Sequence, residues 1–393
     1  MSQKTSTRRQ FLRGVGSGTL GLTVSGTLHT RAYGIGRPRE LLVYVGTYTT
    51  GKSEGIYLYR MNLSSGELKH VTTIRCVVNP SFLTLDPQRR YLFAVNEVND
   101  FGGKPGGAVS AFAIDRKTGK IQFLNQQASL GDSPCYVTVD RTGRFVLVAN
   151  YGGGNVSVLS IRRDGRLGTA ADMHQHHGSS VNPNRQTGPH AHSIVLDQAN
   201  RYAYACDLGT DKIMIYRFDS KKGKLATNQQ PWVQVKPGAG PRHFTFHPSG
   251  RYAYVMNELD STVTSFTCDS AEGILKEMQT VHTLPAGVSQ MNTTADIHIS
   301  PLGRFLYGSN RGHNSIVVFE IEKRTGKLRF IEHVATEGKT PRNFAIDPTG
   351  TFLLAANQDS DTIVTFRLDR ATGRLKPTGY VTEVASPVCL KIV

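Results

Sequence analysis

Pro241-Arg242-His243-Phe244-Thr245-Phe246-His247-Pro248-Ser249-Gly250-Arg251-Tyr252-Ala253-Tyr254-Val255-Met256-Asn257 decides the fold. Apolar and polar residues alternate on both sides of a His-Pro-Ser-Gly turn, the pattern of two half-buried antiparallel strands. Asp or Pro opens such a turn and Gly supplies the positive φ that reverses the chain. The module of strand, turn, Gly-Arg-aromatic and second apolar strand recurs in six copies, running from Pro80, Pro134, Ala191, Pro241, Ala295 and Pro341 to Asn96, Asn150, Asp207, Asn257, Asn310 and Asn357. Their turns begin at Asp86, Asp140, Asp197, His247, Ser300 and Asp347.

A second signature alternates with the first: a polar turn ending in Gly66, Gly119, Gly165, Gly223, Gly273, Gly326 or Gly373, followed by a basic or apolar residue. Two hairpins per period make a four-stranded sheet, the blade of a propeller, and seven second hairpins predict seven blades. The seventh first hairpin is split. Ser386-Pro387-Val388-Cys389-Leu390 matches its first strand and Leu42-Val43-Tyr44-Val45-Gly46-Thr47-Tyr48 its second. The fold class is therefore all-β, a seven-bladed β-propeller closed by pairing of the N- and C-terminal strands, which leaves no exposed sheet edge at the seam. A single tryptophan, Trp232, and the lack of a Trp-Asp repeat ending argue against a WD40 propeller.

Forty glycines and seventeen prolines in 393 residues, with 38% hydrophobic and 19% charged residues, describe a turn-rich globular chain. The net charge of +16 is concentrated at the start: residues 1–39 carry Lys4, Arg8, Arg9, Arg13, Arg31, Arg37 and Arg39 and no acid. Thr7-Arg8-Arg9-Gln10-Phe11-Leu12-Arg13 resembles a twin-arginine signal, and the apolar stretch from Val15 to Leu28 is too short and too rich in Gly and Thr to span a bilayer. Residues 1–35 are accordingly read as a twin-arginine export signal and residues 40–393 as the propeller, which makes the protein a client of the twin-arginine export machinery bound for the periplasm or the exterior. Basic residues scattered among hairpin turns, with no aromatic-basic cluster, do not favour nucleic acid. Cys76, Cys135, Cys206, Cys268 and Cys389 are odd in number and widely spaced, and read as buried small hydrophobes.

No cofactor is predicted. Gly152-Gly153-Gly154-Asn155 opens a strand and lacks the Lys-Ser/Thr of a phosphate loop, and no G-x-S-x-G elbow occurs. Met173-His174-Gln175-His176-His177 is placed in a long loop with no cysteine partner nearby in sequence, and no metal is expected there.

The repeat register places a candidate site. Five residues before the turn the copies carry Ser81, Cys135, His192, Arg242, Ala295 and Arg342; eleven after it they carry Glu97, Tyr151, Leu208, Glu258, Arg311 and Gln358. In an antiparallel hairpin these are expected as cross-strand neighbours at one open end, so every blade offers a pair at one channel mouth. An ordinary cross-strand ion pair between Arg242 and Glu258 on a solvated rim is the bland alternative. His247 stands at a turn position.

Gly240-Pro241-Arg242-His243-Phe244-Thr245-Phe246-His247-Pro248 and Tyr254-Val255-Met256-Asn257-Glu258-Leu259, with Tyr44-Val45-Gly46-Thr47-Tyr48-Thr49, Pro189-His190-Ala191-His192-Ser193 and Ser309-Asn310-Arg311-Gly312, resemble the seven-bladed lactonase family of cycloisomerase-type 6-phosphogluconolactonases and fungal carboxymuconate lactonizing enzymes. The resemblance spans roughly residues 41 to 393. It implies catalytic roles for His192, Arg242, Glu258 and Arg311, and it leads us to expect substrate contacts from His190, Arg342, Glu97 and His243. The implied partner is a small anionic lactone, opened by hydrolysis, with Arg242 and Arg311 holding the anion and either His192 or Glu258 activating water. Two other readings compete: the reverse cyclisation of an unsaturated acid to a lactone, and an exported propeller that binds a partner and catalyses nothing.

Overall fold

The computed structural model describes residues 39–288 and 290–393; the export signal read at residues 1–35 lies outside them. The described chain forms seven four-stranded antiparallel sheets. Six are continuous in sequence, spanning residues 83–128, 134–175, 191–234, 241–282, 293–335 and 341–383, here blades 1 to 6. In blade 7 the strand Pro387–Ile392 pairs with Glu40–Thr47, with Cys389 opposite Gly46 and Leu390 opposite Val45, as the split repeat predicts. The first strand of each blade packs against its counterparts on either side, which closes a ring of seven innermost strands around a central channel.

The turn chemistry follows the sequence with local departures. Asp140 Oδ1 accepts the backbone N–H of Arg144 and of Phe145, and Asp86 and Asp197 cap their hairpins in the same way. His247 takes this role through Nδ1, which accepts from the Ser249 N–H at 3.0 Å. The left-handed position is not always glycine: in blades 1 and 3 it is held by Arg89 (φ 55°) and Asn200 (φ 60°). Of the cysteines, Cys135, Cys206 and Cys389 are buried as expected, whereas Cys76 is exposed and Cys268 half-buried.

The two repeated signatures meet at the blade interfaces. The glycine of each second hairpin lies against the side chain that opens the second strand of the preceding blade: Gly165 on Tyr91, Gly223 on Phe145, Gly273 on Tyr202, Gly326 on Tyr252, Gly373 on Phe305, Gly66 on Phe352, and Gly119 on Leu42. A Cβ added at any of the seven would come within 3 Å of that side chain. At four of the interfaces the arginine before the aromatic secures the same contact: Arg144 donates to the Ser220 carbonyl, Arg201 to that of Ser270 at 2.5 Å, Arg251 to that of Lys323 at 3.4 Å and Arg304 to that of Ala371 at 3.1 Å. Glycine is required there both for its positive φ, +67° at Gly223, and for the space.

Gly223→Ala is therefore expected to lower stability by about 2–4 kcal/mol, through left-handed strain plus overpacking against Phe145. Gly379→Ala, at φ +84° with open space around it, is expected to lose only about 1 kcal/mol. Urea denaturation of both variants checks this, and equal losses would show that the blade contact contributes nothing.

Candidate active site

The mouth residues sit where the innermost strands begin, and their placement differs from simple pairing. Pro241 is opposite Asn257 and His243 opposite Met256, so Arg242 is the extra residue of a β-bulge. The same irregularity leaves Cys135, His192 and Arg342 unpaired in blades 2, 3 and 6. A bulge breaks the alternation of the strand and re-aims one side chain, here toward the channel. The partner position follows an Asn or Asp whose side chain ties down the end of the second strand, as Asn310 Nδ2 does on the Thr283 carbonyl at 3.0 Å.

Arg242 and Glu258 meet through their side chains, Nε to Oε2 at 2.9 Å, and are 2% and 4% exposed, which excludes a solvated rim pair. Arg311 reaches the same Oε2 at 2.9 Å, and Arg185 reaches Oε1 at 2.7 Å. Burial alone would raise the Glu258 pKa, but the guanidiniums of Arg311, Arg242 and Arg185 outweigh it and hold it at about 2. Burial draws Arg311 down to about 10 against the pull of Glu258, leaving it charged at neutral pH. Its Nε is buried and has no hydrogen-bond partner among the described residues.

Across the mouth, Glu97 accepts from Ser81 at 2.5 Å and from the Tyr48 hydroxyl at 2.9 Å, and Arg342 donates to that hydroxyl at 2.8 Å. His192 lies between the two clusters, 5% exposed, with Nδ1 3.6 Å from Cys135 Sγ. Burial, Arg242, His243 and Arg342 push its pKa well below 6.5, so the imidazole is neutral.

His190 stacks on Tyr151 at 4.4 Å with its Nδ1 on the Tyr151 carbonyl, at the mouth's edge. His243 is set deeper than the other candidates. It receives a hydrogen bond from Arg242 at 3.2 Å and places Nδ1 2.7 Å from Asp296, and it belongs to an aromatic layer in which Phe82 and Tyr136 stack at 4.3 Å beneath the mouth. Burial and Arg242, opposed by Asp296, lower its pKa to about 4.

The structure thus brings His192, Arg242, Glu258, Arg311, Arg342 and Glu97 to one mouth. The repeat register missed Arg185, which comes from the connection between blades 2 and 3, Tyr48, which holds the second offset in the split blade and so lay outside the six full copies compared, and Asp296, one residue past the first offset. The Tyr44–Thr49 motif contained Tyr48, and the alternation around Ala295 could have flagged Asp296 as an acid in an apolar strand. Met173-His174-Gln175 belongs to the outer strand of blade 2 rather than to a loop, and His176 is buried with Nδ1 2.6 Å from Asp207.

Together, a closed ring of seven blades and a buried, arginine-rich cluster around a neutral histidine define a β-propeller with a candidate site at one mouth of its channel. The chain belongs to the seven-bladed β-propeller lactonase family, whose model matches residues 42–392. It is 38% identical over 301 residues to a 6-phosphogluconolactonase of Bacillus subtilis, covering 77% of this chain and 83% of that one. It is 37% identical over 307 residues to a 6-phosphogluconolactonase of Formosa agariphila, covering 77% and 85%. The structure of a periplasmic gluconolactonase from Pseudomonas aeruginosa superposes with a TM-score of 0.85 at 38% identity, covering 90% of this chain and 99% of that one.

Glu258 has its folded pKa depressed from 4.5 to about 2, so it contributes stability that is present above pH 4.5 and is lost as pH falls toward 2. Glu258→Gln leaves three guanidiniums facing a neutral amide and is expected to destabilise by about 3–5 kcal/mol at neutral pH, with a shallower acid dependence between pH 4.5 and 2. Urea melts of both proteins across that range test the assignment.

Proposed function

We propose that the protein hydrolyses an anionic, sugar-derived lactone at this mouth. The observation that carries the reading is a charge surplus around an unprotonated base: four guanidiniums, of Arg185, Arg242, Arg311 and Arg342, face two carboxylates, of Glu97 and Glu258, with neutral His192 between them. Such a site favours an anion and the oxyanion that forms when an ester carbonyl is attacked. The lactonase names of the relatives support the same class of reaction.

Of the two candidate bases, the geometry favours His192. Both Glu258 oxygens are taken by arginines, and a carboxylate held at about 2 is a weak proton acceptor. His192 Nε2 has no hydrogen bond to any described residue. His192 takes a proton from water as the oxygen adds to the lactone carbonyl. Arg311 and Arg242 stabilise the resulting oxyanion. The ring C–O bond then breaks, and the proton returns from His192 to the departing alkoxide, giving a hydroxy acid. Neighbouring arginines disfavour the imidazolium, which costs proton abstraction but speeds the return.

His192→Ala is expected to lower kcat/KM about 10²–10⁴-fold and Arg311→Met about 10²-fold, without loss of fold. Because the working form of His192 is the neutral one and its pKa lies well below 6.5, the wild-type kcat/KM is expected to stay flat as pH is lowered from neutrality through 6.5 and to fall only in stronger acid. Unchanged turnover in the variants, or an ascending limb at or above pH 6.5, would count against His192.

The site is proposed to operate outside the cytoplasm, on the strength of Thr7-Arg8-Arg9-Gln10-Phe11-Leu12-Arg13. Replacing Arg8 and Arg9 together by Lys is expected to retain the full-length chain in the cytoplasm; fractionation showing unaltered export would refute a twin-arginine route.

A further inference from the structure

The channel has a second chamber. The innermost strands run from the mouth to their turns, so the residues after the bulge follow one another down the channel: Tyr136 and His243 come first, Thr138, Thr245 and Lys391 lie three positions on, roughly 10 Å from the bulge at about 3.3 Å per residue, and Arg141 stands at the turn. There a cavity of about 380 Å³ opens, within the size range of small-molecule sites. The layer of Phe82, Tyr136 and His243 forms its inner end and divides it from the mouth.

The lining is rich in donors and poor in acceptors. Lys391 and Arg141 line the cavity, and neither has a carboxylate within 4 Å among the described residues. The Lys391 Nζ is held over the Phe82 ring, 4.5 Å from its centroid. The Thr138, Thr245 and Tyr136 hydroxyls make no hydrogen bond to any described residue. The acid present, Asp296, is saturated: His243 and His298 lie at 2.7 and 2.8 Å, and Asn343 donates at 2.5 Å. Val195, Leu196, Phe244 and Phe246 make much of the remaining wall apolar.

We propose that this chamber is a second binding site, separate from the mouth, for a small aromatic or alicyclic carboxylate. The carboxylate is received by Lys391 and Arg141 with help from the hydroxyls, and the ring lies on the Phe82–Tyr136 layer between the aliphatic walls. Free phosphate offers the charge but not the apolar body, so it is expected to bind more weakly.

The test is calorimetric titration of benzoate, and separately of inorganic phosphate, into the full chain and its Lys391→Gln, Arg141→Gln and Arg342→Gln variants, with thermal melts confirming that each is folded. The proposal expects one benzoate per chain, affinity reduced at least about tenfold by each of the two chamber variants, as for the loss of a charge-assisted contact, and retained in the mouth variant. Phosphate binding as tightly as benzoate would overturn the assignment of an apolar-bodied ligand. Benzoate binding abolished by Arg342→Gln but indifferent to Lys391→Gln and Arg141→Gln would place the ligand in the mouth and overturn the site, as would no binding to the wild type.

Discussion

The ring depends on one contact repeated seven times, the seat of a left-handed glycine under the side chain that opens the neighbouring blade's second strand. A single four-stranded antiparallel sheet cannot bury both of its faces, so each blade is stable only when sandwiched between two others. The glycine allows the hairpin to come within van der Waals reach of an aromatic ring, and at four interfaces the arginine before that ring hydrogen-bonds the hairpin's carbonyls. In the split blade the same position is filled by Leu42 against Gly119, with the Tyr44 hydroxyl on the Gly119 carbonyl at 2.6 Å. The seam is thus built from the same contact as the other interfaces.

Most of this architecture was legible because it repeats. Both signatures, their number and the split of the seventh blade are statements about period, and a period survives local exceptions such as Arg89 and Asn200 in place of glycine. The mouth was legible for the same reason. What the register could not show was the bulge, because an extra residue at a fixed offset leaves the spacing of the repeat unchanged while altering which way the side chain points. Arg185 was invisible to it because the connection between blades 2 and 3 has no counterpart in the other repeats.

The choice between His192 and Glu258 also needed three dimensions. In sequence both are ionisable residues at equivalent depths. In space Glu258 is the anchor of an ion network with three arginines, and both of its oxygens are engaged there, which is why the proposed base is His192. Arg242 extends that network through His243 to Asp296, so the floor of the mouth is a hydrogen-bonded sheet of buried polar groups packed against aromatic rings. Such a floor is rigid, since displacing any member strands a charge away from water.

The bulges carry a consequence for how this kind of protein diversifies. A residue that lies outside the ladder of backbone pairing contributes little to holding the sheet, so at Cys135, His192, Arg242 and Arg342 the backbone of the blade sets no side-chain identity, and Arg242 is fixed instead by its buried partners Glu258 and His243. The ring then acts as a fixed turret with interchangeable fittings. Exchanging a fitting leaves the backbone ladder of its blade intact, and the cost of the exchange falls on the side chains it touches across the mouth.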